Sequence, residues 1–412
     1  MHKNSFFNNH KIRVKNNNLR FIEETWSSEK LGNLCKITMG QSPSSKNYSK
    51  NSNDTILIQG NADLISGKIV PRIYTSEITK LSYPGDIILT VRAPVGDLAI
   101  NEFDSCIGRG VCSIKGNKFI YYYLESLKDK HVWERLSQGS TFESVNSNDI
   151  KNLNLKIPSN STQNHIINFF TAIDTKIELL QKKHGEYIRF KQYLMQNIFA
   201  DKSAEKLRFD FKDTWDKVLL KDVAFIPKKT KLTNIEGLKL LTVKLHTKGI
   251  EINDRIKPKL TKRGRPYYIR RSGELLIGRQ NFHNGGMGIV PKSLDEGICS
   301  NAISSFNVFE DKIDVNYLYY FLARPEYYIK SERLIGGTGQ KEFSEKELLK
   351  LKIDLPSLEE QNKIVDFLSN IDHKIELSEN QLNKTQEFKK GLLQQMFVVQ
   401  LILSLLQNKK HI

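Results

Sequence analysis

The sequence predicts an α+β protein made of two similar globular domains, each followed by one long helix. Three observations support this prediction. A stretch of 42 residues occurs twice, 198 positions apart. Each copy carries apolar residues at helical spacing, and the region before each copy holds short β-type runs separated by Gly, Pro and Asn turns. Because the interval is so long, it indicates a duplicated domain and not a solenoid repeat.

The two copies run from Pro158 to Phe199 and from Pro356 to Phe397. The proline closes the preceding segment in each copy, and Ser357 with Glu360 has the spacing of a capping box, so a helix is expected to start there. Positions shared by both copies include Gln163/Gln361, Asn164/Asn362, Ile166/Ile364, Phe169/Phe367, Ile173/Ile371, Asp174/Asp372 and a Lys-Ile-Glu-Leu run.

Inside each copy the apolar residues recur every 3.5 positions, which is typical of a coiled-coil seam. Such a helix is too long to be covered by its own domain, so the simplest partner for each helix is the other one. The alternative is that each helix lies on its own domain. Polar residues interrupt both seams near the middle. The predicted packing residues are Ile166, Phe170, Ile173, Ile177, Leu180, Leu194 and Ile198 in the first helix, and Ile364, Leu368, Ile371, Ile375, Leu382, Leu392 and Met396 in the second.

The composition fits a globular chain with a polyanionic partner. The 412 residues suffice for two or three domains with their own cores, and the hydrophobic content of 39% is ordinary. Sixty-three Lys and Arg against 46 Asp and Glu leave a net charge of +17, which favours a polyanion. No C-x-x-C pair and no Cys/His cluster at metal spacing occurs, so we expect a reduced, cytoplasmic chain without structural zinc. The four cysteines are Cys35, Cys106, Cys112 and Cys299.

Boundaries follow from the repeat and from composition. The first residues are polar, basic and free of acidic side chains, and they lack the apolar core of a signal peptide. After Phe397 an apolar run continues that is too short to span a bilayer. It could extend the second helix, pack against a subunit or have no role. The predicted segments are a disordered leader (1–18), a first domain (19–158), a central helix (159–200), a second domain (201–356), a C-terminal helix (357–400) and a tail (401–412).

The order of domain, helix, domain, helix resembles the specificity subunit of type I restriction-modification systems, the HsdS family. The specific part of the resemblance is the helix start Gln163-x-x-Ile166-x-x-Phe169 followed by Ile-Asp-x-Lys-Ile-Glu-Leu, with its second copy from Gln361. It covers the chain from about Leu19 to Phe397.

The resemblance implies a function and a set of partners. Each globular domain would be a target recognition domain that binds one half of a bipartite, asymmetric site in double-stranded DNA. The two helices would pack antiparallel as a spacer, giving pseudo-twofold symmetry. Two modification subunits, which bind S-adenosylmethionine and methylate adenine, would join the chain, and a restriction subunit could follow. The specificity chain itself would not be catalytic and would need no cofactor of its own.

The residues agree with a non-catalytic chain. We find no Asn/Asp-Pro-Pro-Tyr/Phe motif, no Walker A loop and no H-E-x-x-H helix. Lone histidines such as His131 and His165 have no nucleophile or metal ligand near them in sequence, so ordinary surface or core roles are favoured. Two other hypotheses remain at this point: a coiled-coil adaptor that joins two protein partners without DNA recognition, and an enzyme with an unfamiliar site.

Two arginines are the best candidates for DNA contacts. Arg92 and Arg279 each follow a strand-like run and precede a Gly-rich loop, and arginine can bind guanine with two hydrogen bonds. The alternative for each is a salt bridge that fixes the loop. Weaker candidates, for which an ordinary polar loop is the alternative, are Gln280, Asn281, His283, Gln138, Ser140, Gln340 and Lys341.

The segments between these shared features differ between the halves. Residues 42–73 and 228–268 have almost nothing in common. A common framework with different polar segments suits two similar modules that bind two different targets.

Overall fold

The computed structural model describes residues 26–128, 132–137, 144–200, 207–261, 264–331 and 342–408. The predicted leader over residues 1–18 lies outside these ranges. The chain forms two compact units, here called the first unit (Met1–Gln181 with Asn380–Ile412) and the second unit (Lys182–Glu379). Each unit thus holds one domain, one half of the first long helix and one half of the second.

The first domain combines three sheets with short helices. Strand β1 pairs with β13, a six-stranded sheet has the order β2-β12-β9-β10-β6-β5, and a five-stranded sheet has the order β3-β7-β4-β11-β8. The elements are β1 (Ser27–Lys30), α1 (Leu31–Leu34), β2 (Lys36–Met39), β3 (Tyr48–Ser49), β4 (Thr55–Ile58), β5 (Leu64–Ile65), β6 (Lys68–Ile69), β7 (Tyr74–Thr75), β8 (Leu81–Ser82), β9 (Ile87–Thr90), β10 (Leu98–Ile100), β11 (Ser105–Ile107), β12 (Val111–Lys115), α2 (Lys118–Lys128), α3 (Val132–Ser137), α4 (Ser147–Lys151), β13 (Asn154–Ile157) and the long helix α5 (Asn160–Ile198).

The second domain keeps the same framework in a smaller form. Strand β14 pairs with β23, a four-stranded sheet has the order β15-β22-β19-β20, and β16-β17 and β18-β21 are separate pairs. The elements are β14 (Asp216–Leu219), α6 (Leu220–Val223), β15 (Ala224–Phe225), β16 (Leu241–Val243), β17 (Ile250–Ile252), β18 (Tyr267–Ile269), β19 (Leu275–Gly278), β20 (Met287–Ile289), β21 (Ile298–Ser300), β22 (Ile303–Val308), α7 (Val315–Leu322), α8 (Pro325–Ser331), α9 (Glu345–Leu348), β23 (Lys352–Leu355) and the long helix α10 (Leu358–Asn408).

The four central strands have the same order in both domains, β2-β12-β9-β10 in the first and β15-β22-β19-β20 in the second. Both domains also share a second strand pair. In each, the first strand pairs antiparallel with the strand that leads into the long helix. The predicted pair of similar α+β domains, each followed by a long helix, is confirmed.

Both faces of the central strands are covered. Side chains alternate along a strand, so Ile87 and Leu89 enter the main core of the first domain while Ile88 enters a smaller cluster on the other face. In the second domain, Leu275 and Ile277 likewise enter the main core, while Leu276 enters a smaller cluster on the other face. Burial on both faces explains why these runs are continuously apolar and do not alternate with polar residues.

The end of each long helix completes a domain core. Phe397, near the end of α10, is fully buried in the first unit, with ring centroids 5.6 Å from Phe119 and 4.9 Å from Tyr123. Its repeat counterpart Phe199, which ends the first copy, is buried in the second unit, 5.7 Å from Phe321. The first domain core therefore includes residues of α10, which is distant from it in sequence, and the second domain core includes the end of the α5 segment, which directly precedes it.

The two long helices pack antiparallel within each unit. Lys389 contacts Asp174 in the first unit, and in the second unit His184 contacts Ser378 and Lys191 contacts Asp372. As the residue number rises along α5, the number of the contacted residue falls along α10, which is the signature of antiparallel helices.

The seam positions named from the sequence can be located on both long helices, and their role in helix–helix packing stays a prediction. Every seam position named from the sequence is buried or partly buried, from Ile166 and Phe170 at the start of α5 to Met396 near the end of α10. The helix α10 continues to Asn408, so part of the predicted tail has helical backbone. Within the ranges that the structure describes, no helix has the length and apolar character needed to cross a membrane.

Candidate nucleic-acid interface

The predicted DNA-contacting loops follow β9 in the first domain and β19 in the second. A turn with a glycine at positive φ precedes each strand, Gly85 at 90° and Gly273 at 87°. The next residue in each turn is a buried carboxylate that fixes the strand start. Asp86 accepts hydrogen bonds from the Ser113 hydroxyl at 2.8 Å and the Tyr83 amide at 3.0 Å, and Glu274 accepts one from the Ser305 hydroxyl at 2.7 Å.

These matching turns show that Arg92 and Arg279 are not counterparts. Counted from the glycines, Arg279 takes the position of Val91, and Arg92 takes the position of Gln280. Backbone hydrogen bonds support this alignment of Arg279 with Val91. The Val91 amide donates to the Gly110 carbonyl at 2.9 Å, and the Arg279 amide donates to the Ala302 carbonyl at 3.1 Å, at the equivalent position before the paired strand. Side chains alternate along an extended chain, so the two arginines leave the strand on opposite sides.

Arg92 is exposed, and a second exposed arginine, Arg109, lies in the turn before β12, the strand that pairs with β9. The backbone of Arg92 forms a bridge with Ser144, and the Arg92 side chain has no hydrogen bond or ion pair to the described residues. The Val91 amide donates to the Gly110 carbonyl at 2.9 Å, so Arg92 and Arg109 are each adjacent in sequence to one partner of that hydrogen bond. The Arg109 amide donates to the Ser42 hydroxyl at 3.1 Å, which places this exposed arginine on a fixed turn. Exposed arginines on these two neighbouring segments supply groups of the kind that bind phosphate or guanine.

Arg279 has a carboxylate partner. Its Nη2 lies 2.6 Å from Glu342 Oε1, with 23% and 30% of the two side chains exposed. The other oxygen of the same carboxylate accepts a hydrogen bond from Gln280 Nε2 at 3.3 Å. The amide of Phe343 also donates to the Arg279 carbonyl at 3.1 Å. Thus one residue, Glu342, holds two of the predicted DNA-contacting side chains, and their contact with DNA stays a prediction.

Two of the remaining predicted DNA-contacting residues, Asn281 and His283, lie within the described part of the chain. Asn281 is exposed, and its carbonyl accepts the amides of Asn284 at 3.0 Å and Gly286 at 2.8 Å. His283 is half-buried, with Nε2 3.0 Å from the Asn284 amide nitrogen and with Nδ1 buried and unpaired among the described residues. A Cβ on Gly286 would lie 2.8 Å from the Asn281 carbonyl oxygen, so this tight loop requires glycine there. Gln138, Ser140, Gln340 and Lys341 lie outside the described residues.

The segments that differ between the domains carry unequal charge. Residues 228–268 of the second domain hold 12 Lys and Arg against three Asp and Glu, whereas residues 42–73 of the first hold four against two. Most of the basic side chains described in the second segment are exposed, among them Lys231, Lys239, Lys248 and Arg255. Exposed positive charge of this density attracts phosphate backbones.

A second set of polar residues lies where each domain meets the helix pair. In the first unit the Tyr122 hydroxyl donates to Asp174 at 2.8 Å, and Lys389 lies 2.8 Å from Asp174 and from Glu125. The second unit repeats this arrangement 198 positions away along the sequence. There the Tyr320 hydroxyl donates to Asp372 at 2.8 Å, and Lys191 lies 2.5 Å from the same carboxylate. We call the two sets the first and second junction.

Comparison with known proteins identifies the family. The family model for the type I restriction modification DNA specificity domain matches residues 23–186 and again residues 212–387. The chain belongs to this family. The two matches cover one domain with its long helix each, as the duplication indicates, and they favour the specificity role over a coiled-coil adaptor.

Two archaeal relatives carry the corresponding name. The chain is 36% identical over 191 residues to the MjaX type I restriction enzyme specificity subunit of Methanocaldococcus jannaschii, which is 44% of this chain and 44% of that protein. It is 25% identical over 299 residues to the MjaVIII specificity subunit of the same organism, 68% of this chain and 69% of the relative. The match therefore spans less than half the length of the MjaX protein.

Two solved structures have the same fold. The S subunit of a type I restriction-modification system from M. genitalium superposes with a TM-score of 0.60 at 16% identity, over 91% of this chain and 96% of that one. A structure from work on complex assembly and conformational transition of the type I R-M system superposes with a TM-score of 0.52 at 18% identity. The superposition covers 90% of this chain and 97% of that one. At such low identity the likeness concerns the fold alone.

Proposed function

We propose that this chain is the DNA sequence-specificity subunit of a type I restriction-modification complex, in which each domain binds one half of a bipartite, asymmetric site. The observation that carries the proposal is one framework present twice with different segments attached to it. The strand order β2-β12-β9-β10 recurs as β15-β22-β19-β20, while residues 42–73 and 228–268 have little in common. A conserved scaffold with two different binding surfaces suits a site whose halves differ.

Charge supports DNA as the target. The net charge of +17 provides non-specific attraction to the duplex, and the basic segment of the second domain concentrates part of it. Arg92 with Arg109 in the first domain, and Arg279 with Gln280 in the second, supply groups that hydrogen-bond to base edges. Phosphate contacts give most of the affinity, and these side chains give the sequence preference.

The helices support two further roles, spacing and partner docking. Because α5 and α10 are continuous, their length sets the separation of the two half-sites, at about 5.4 Å for each helical turn. Both helices also carry exposed apolar residues at repeat-related positions. Leu179 and Phe388 in the first unit are 64% and 49% exposed, and their counterparts Leu377 and Phe190 in the second unit are 53% and 43% exposed.

Repeat-related apolar sites suit two copies of one partner. The partner is the modification subunit, two per chain, which binds S-adenosylmethionine and methylates adenine. The chain described here supplies sequence recognition, not chemistry. A restriction subunit can join the same cytoplasmic complex.

The decisive experiment is methyl transfer to random-sequence duplex DNA by this chain purified together with the modification subunit of its host. Methylated adenines are mapped by sequencing. We expect two short motifs at one fixed separation. If both proteins are folded and neither a complex nor site-selective methylation is found, the adaptor hypothesis replaces this one. Duplex binding by the chain should also weaken steeply with salt.

A further inference from the structure

We propose that the first and second junctions fix the axial register of α5 against α10, and that their lysines thereby determine the spacing between the two halves of the DNA site. The proposal rests on the proposed function for its last step only. The register itself is a property of the folded chain and can be measured without DNA.

The apolar seam alone does not select one register strongly. Its positions are filled mainly by Ile, Leu and Phe at heptad spacing, so a slide by one heptad, about 10 Å, would place similar side chains opposite one another along much of its length. The middle of the seam is also poor in large apolar residues, with His184 on α5 facing Ser378 on α10 at 2.9 Å. Phe397 and Phe199 tie the helix ends to the domain cores, and polar contacts along the helices add to this alignment.

The junction lysines make polar contacts of this kind. Lys191 and Lys389 lie one heptad before the seam residues Ile198 and Met396. A polar side chain in a coiled-coil seam specifies register at some cost in stability. Lys389 is 11% exposed and lies 2.8 Å from both Asp174 and Glu125, so its charge is neutralised in one alignment only. A slide of one heptad would place it level with Ile167 or Gln181 and leave a buried ammonium group without a carboxylate.

The tyrosines connect this alignment to each domain. Tyr122 of α2 donates to Asp174, and its ring centroid lies 5.4 Å from Lys389 Nζ. Tyr320 of α7 makes the same two contacts with Asp372 and Lys191, also at 5.4 Å from the ring. Burial, followed by the nearby carboxylates, raises the pKa of both tyrosines, so the hydroxyls stay protonated as donors. Each junction therefore joins three elements: a domain helix and both long helices.

The two junctions are not of equal strength. Glu125 provides a second carboxylate in the first junction, whereas the corresponding position in the second domain is Ala323. Burial alone would lower the pKa of Lys389, but Glu125 and Asp174 outweigh it and hold that pKa above its usual value. Loss of Lys389 should consequently disturb the register more than loss of Lys191.

The experiment uses the full chain with a disulfide reporter. The pair His184→Cys and Ser378→Cys reports the observed register, and His184→Cys with Thr385→Cys reports a slide of one heptad. The native thiols give little background, because Cys35, Cys106, Cys112 and Cys299 are all buried. Burial also raises the pKa of Cys35 to about 11 and of Cys112 to about 12, which keeps them protonated.

Into these reporters we introduce Lys389→Met and Lys191→Met, separately and together. Matched controls are Lys384→Met and Lys182→Met, which remove an exposed lysine from the same helices. We expect the rate of the 184–378 disulfide to fall about tenfold in the double variant relative to the controls, with the 184–385 disulfide appearing. Lys389→Arg and Lys191→Arg should keep the original pattern. Should the methionine variants fail to fold, Asp174→Asn and Asp372→Asn test the same contacts without removing a lysine.

The second measurement is the separation of methylated adenines in DNA modified by each variant with the modification subunit. We expect one separation for the unaltered chain, the controls and the arginine variants, and more than one for the double methionine variant. Unchanged disulfide rates and an unchanged separation in a folded variant would overturn the proposal. If the unaltered chain directs no site-selective methylation, the proposed function fails while the disulfide result still decides the register.

Discussion

The guanidinium of Arg279 and the carboxylate of Glu342 form an ion pair of 2.6 Å at the end of β19, at the base of the predicted DNA-contacting loop. The same carboxylate also accepts a hydrogen bond from Gln280. Glu342 thus pairs with the donors of two side chains that the sequence predicts to contact DNA. It holds the side chains in a defined position and lowers the positive charge that they present.

Substitution Glu342→Gln is expected to separate affinity from selectivity. Release of Arg279 should strengthen binding to unrelated duplex DNA and make the slope of log K against log salt more negative by about one unit. Discrimination at one half-site should fall, because the side chain is no longer positioned. The control is Glu296→Gln, which removes the same charge from an exposed pair with Arg271. Equal effects of the two substitutions on slope and selectivity would contradict a positioning role for Glu342.

Removal of Arg92 or Arg109 should weaken recognition by the first domain. If the arginine contacts a base, the Ala variant loses about 1–3 kcal/mol of discrimination at one position of the half-site, whereas a phosphate contact costs affinity uniformly across sequences. The measurement is binding to a panel of duplexes with single base changes. Lys115→Ala is the matched control, since Lys115 ends β12 at the opposite end from Arg109. An unchanged profile in both arginine variants would remove this pair from the interface.

The sequence was sufficient to predict the parts of the structure that depend on spacing. The repeat interval and the heptad pattern are written in the order of the residues, so α5, α10 and their seam could be predicted from it. Contacts produced by distant strand pairing could not. The pairing of β12 with β9 brings the segments of Arg109 and Arg92 together, and Glu342 reaches Arg279 from a segment more than 60 residues away.

Arg92 and Arg279 follow similar strand-like runs in the sequence, yet they do not take equivalent positions. The positive-φ glycines Gly85 and Gly273 align the two strands, and in that alignment the arginines are one residue apart. A one-residue shift in an extended chain moves a side chain to the other face. Turn geometry was therefore the better guide to equivalent positions than residue identity.

Gln361 is expected to contribute more to stability than its counterpart Gln163. The fully buried Gln361 donates to the carbonyls of Pro356 at 2.9 Å and Lys312 at 3.0 Å, and accepts from the Asp314 amide at 2.9 Å. Gln163 has two such partners, Pro158 and Asn117. Truncation to Ala leaves these groups unpaired, at about 1–3 kcal/mol for each buried group that water cannot reach.

Hydrogen exchange of the amides in each domain measures the loss. The exposed neighbours Asn362 and Asn164 provide controls, because Asn362→Ala and Asn164→Ala remove a similar side chain without a described partner. Equal exchange in Gln361→Ala and Asn362→Ala would show that the buried hydrogen bonds do not hold the start of α10 on its domain.

Phe397 and Phe388 should give opposite results although both lie on α10. Phe397 is fully buried in the first domain core, so Phe397→Ala should lower the free energy of unfolding by about 3–5 kcal/mol. Phe388 is 49% exposed, so Phe388→Ser should leave thermal stability nearly unchanged. Combined with Leu179→Ser, it should remove one modification subunit from the purified complex.

The corresponding pair in the second unit, Phe190→Ser with Leu377→Ser, should remove the other copy. All four substitutions together should leave a folded chain without a partner, as measured by the mass of the complex. The chain carries two repeat-related apolar sites, so each of two identical partners would bind to one of them and depend on that site alone. A complex that keeps both copies in the fourfold variant would place the docking surface elsewhere on the chain and leave the exposed residues of α5 and α10 without this role.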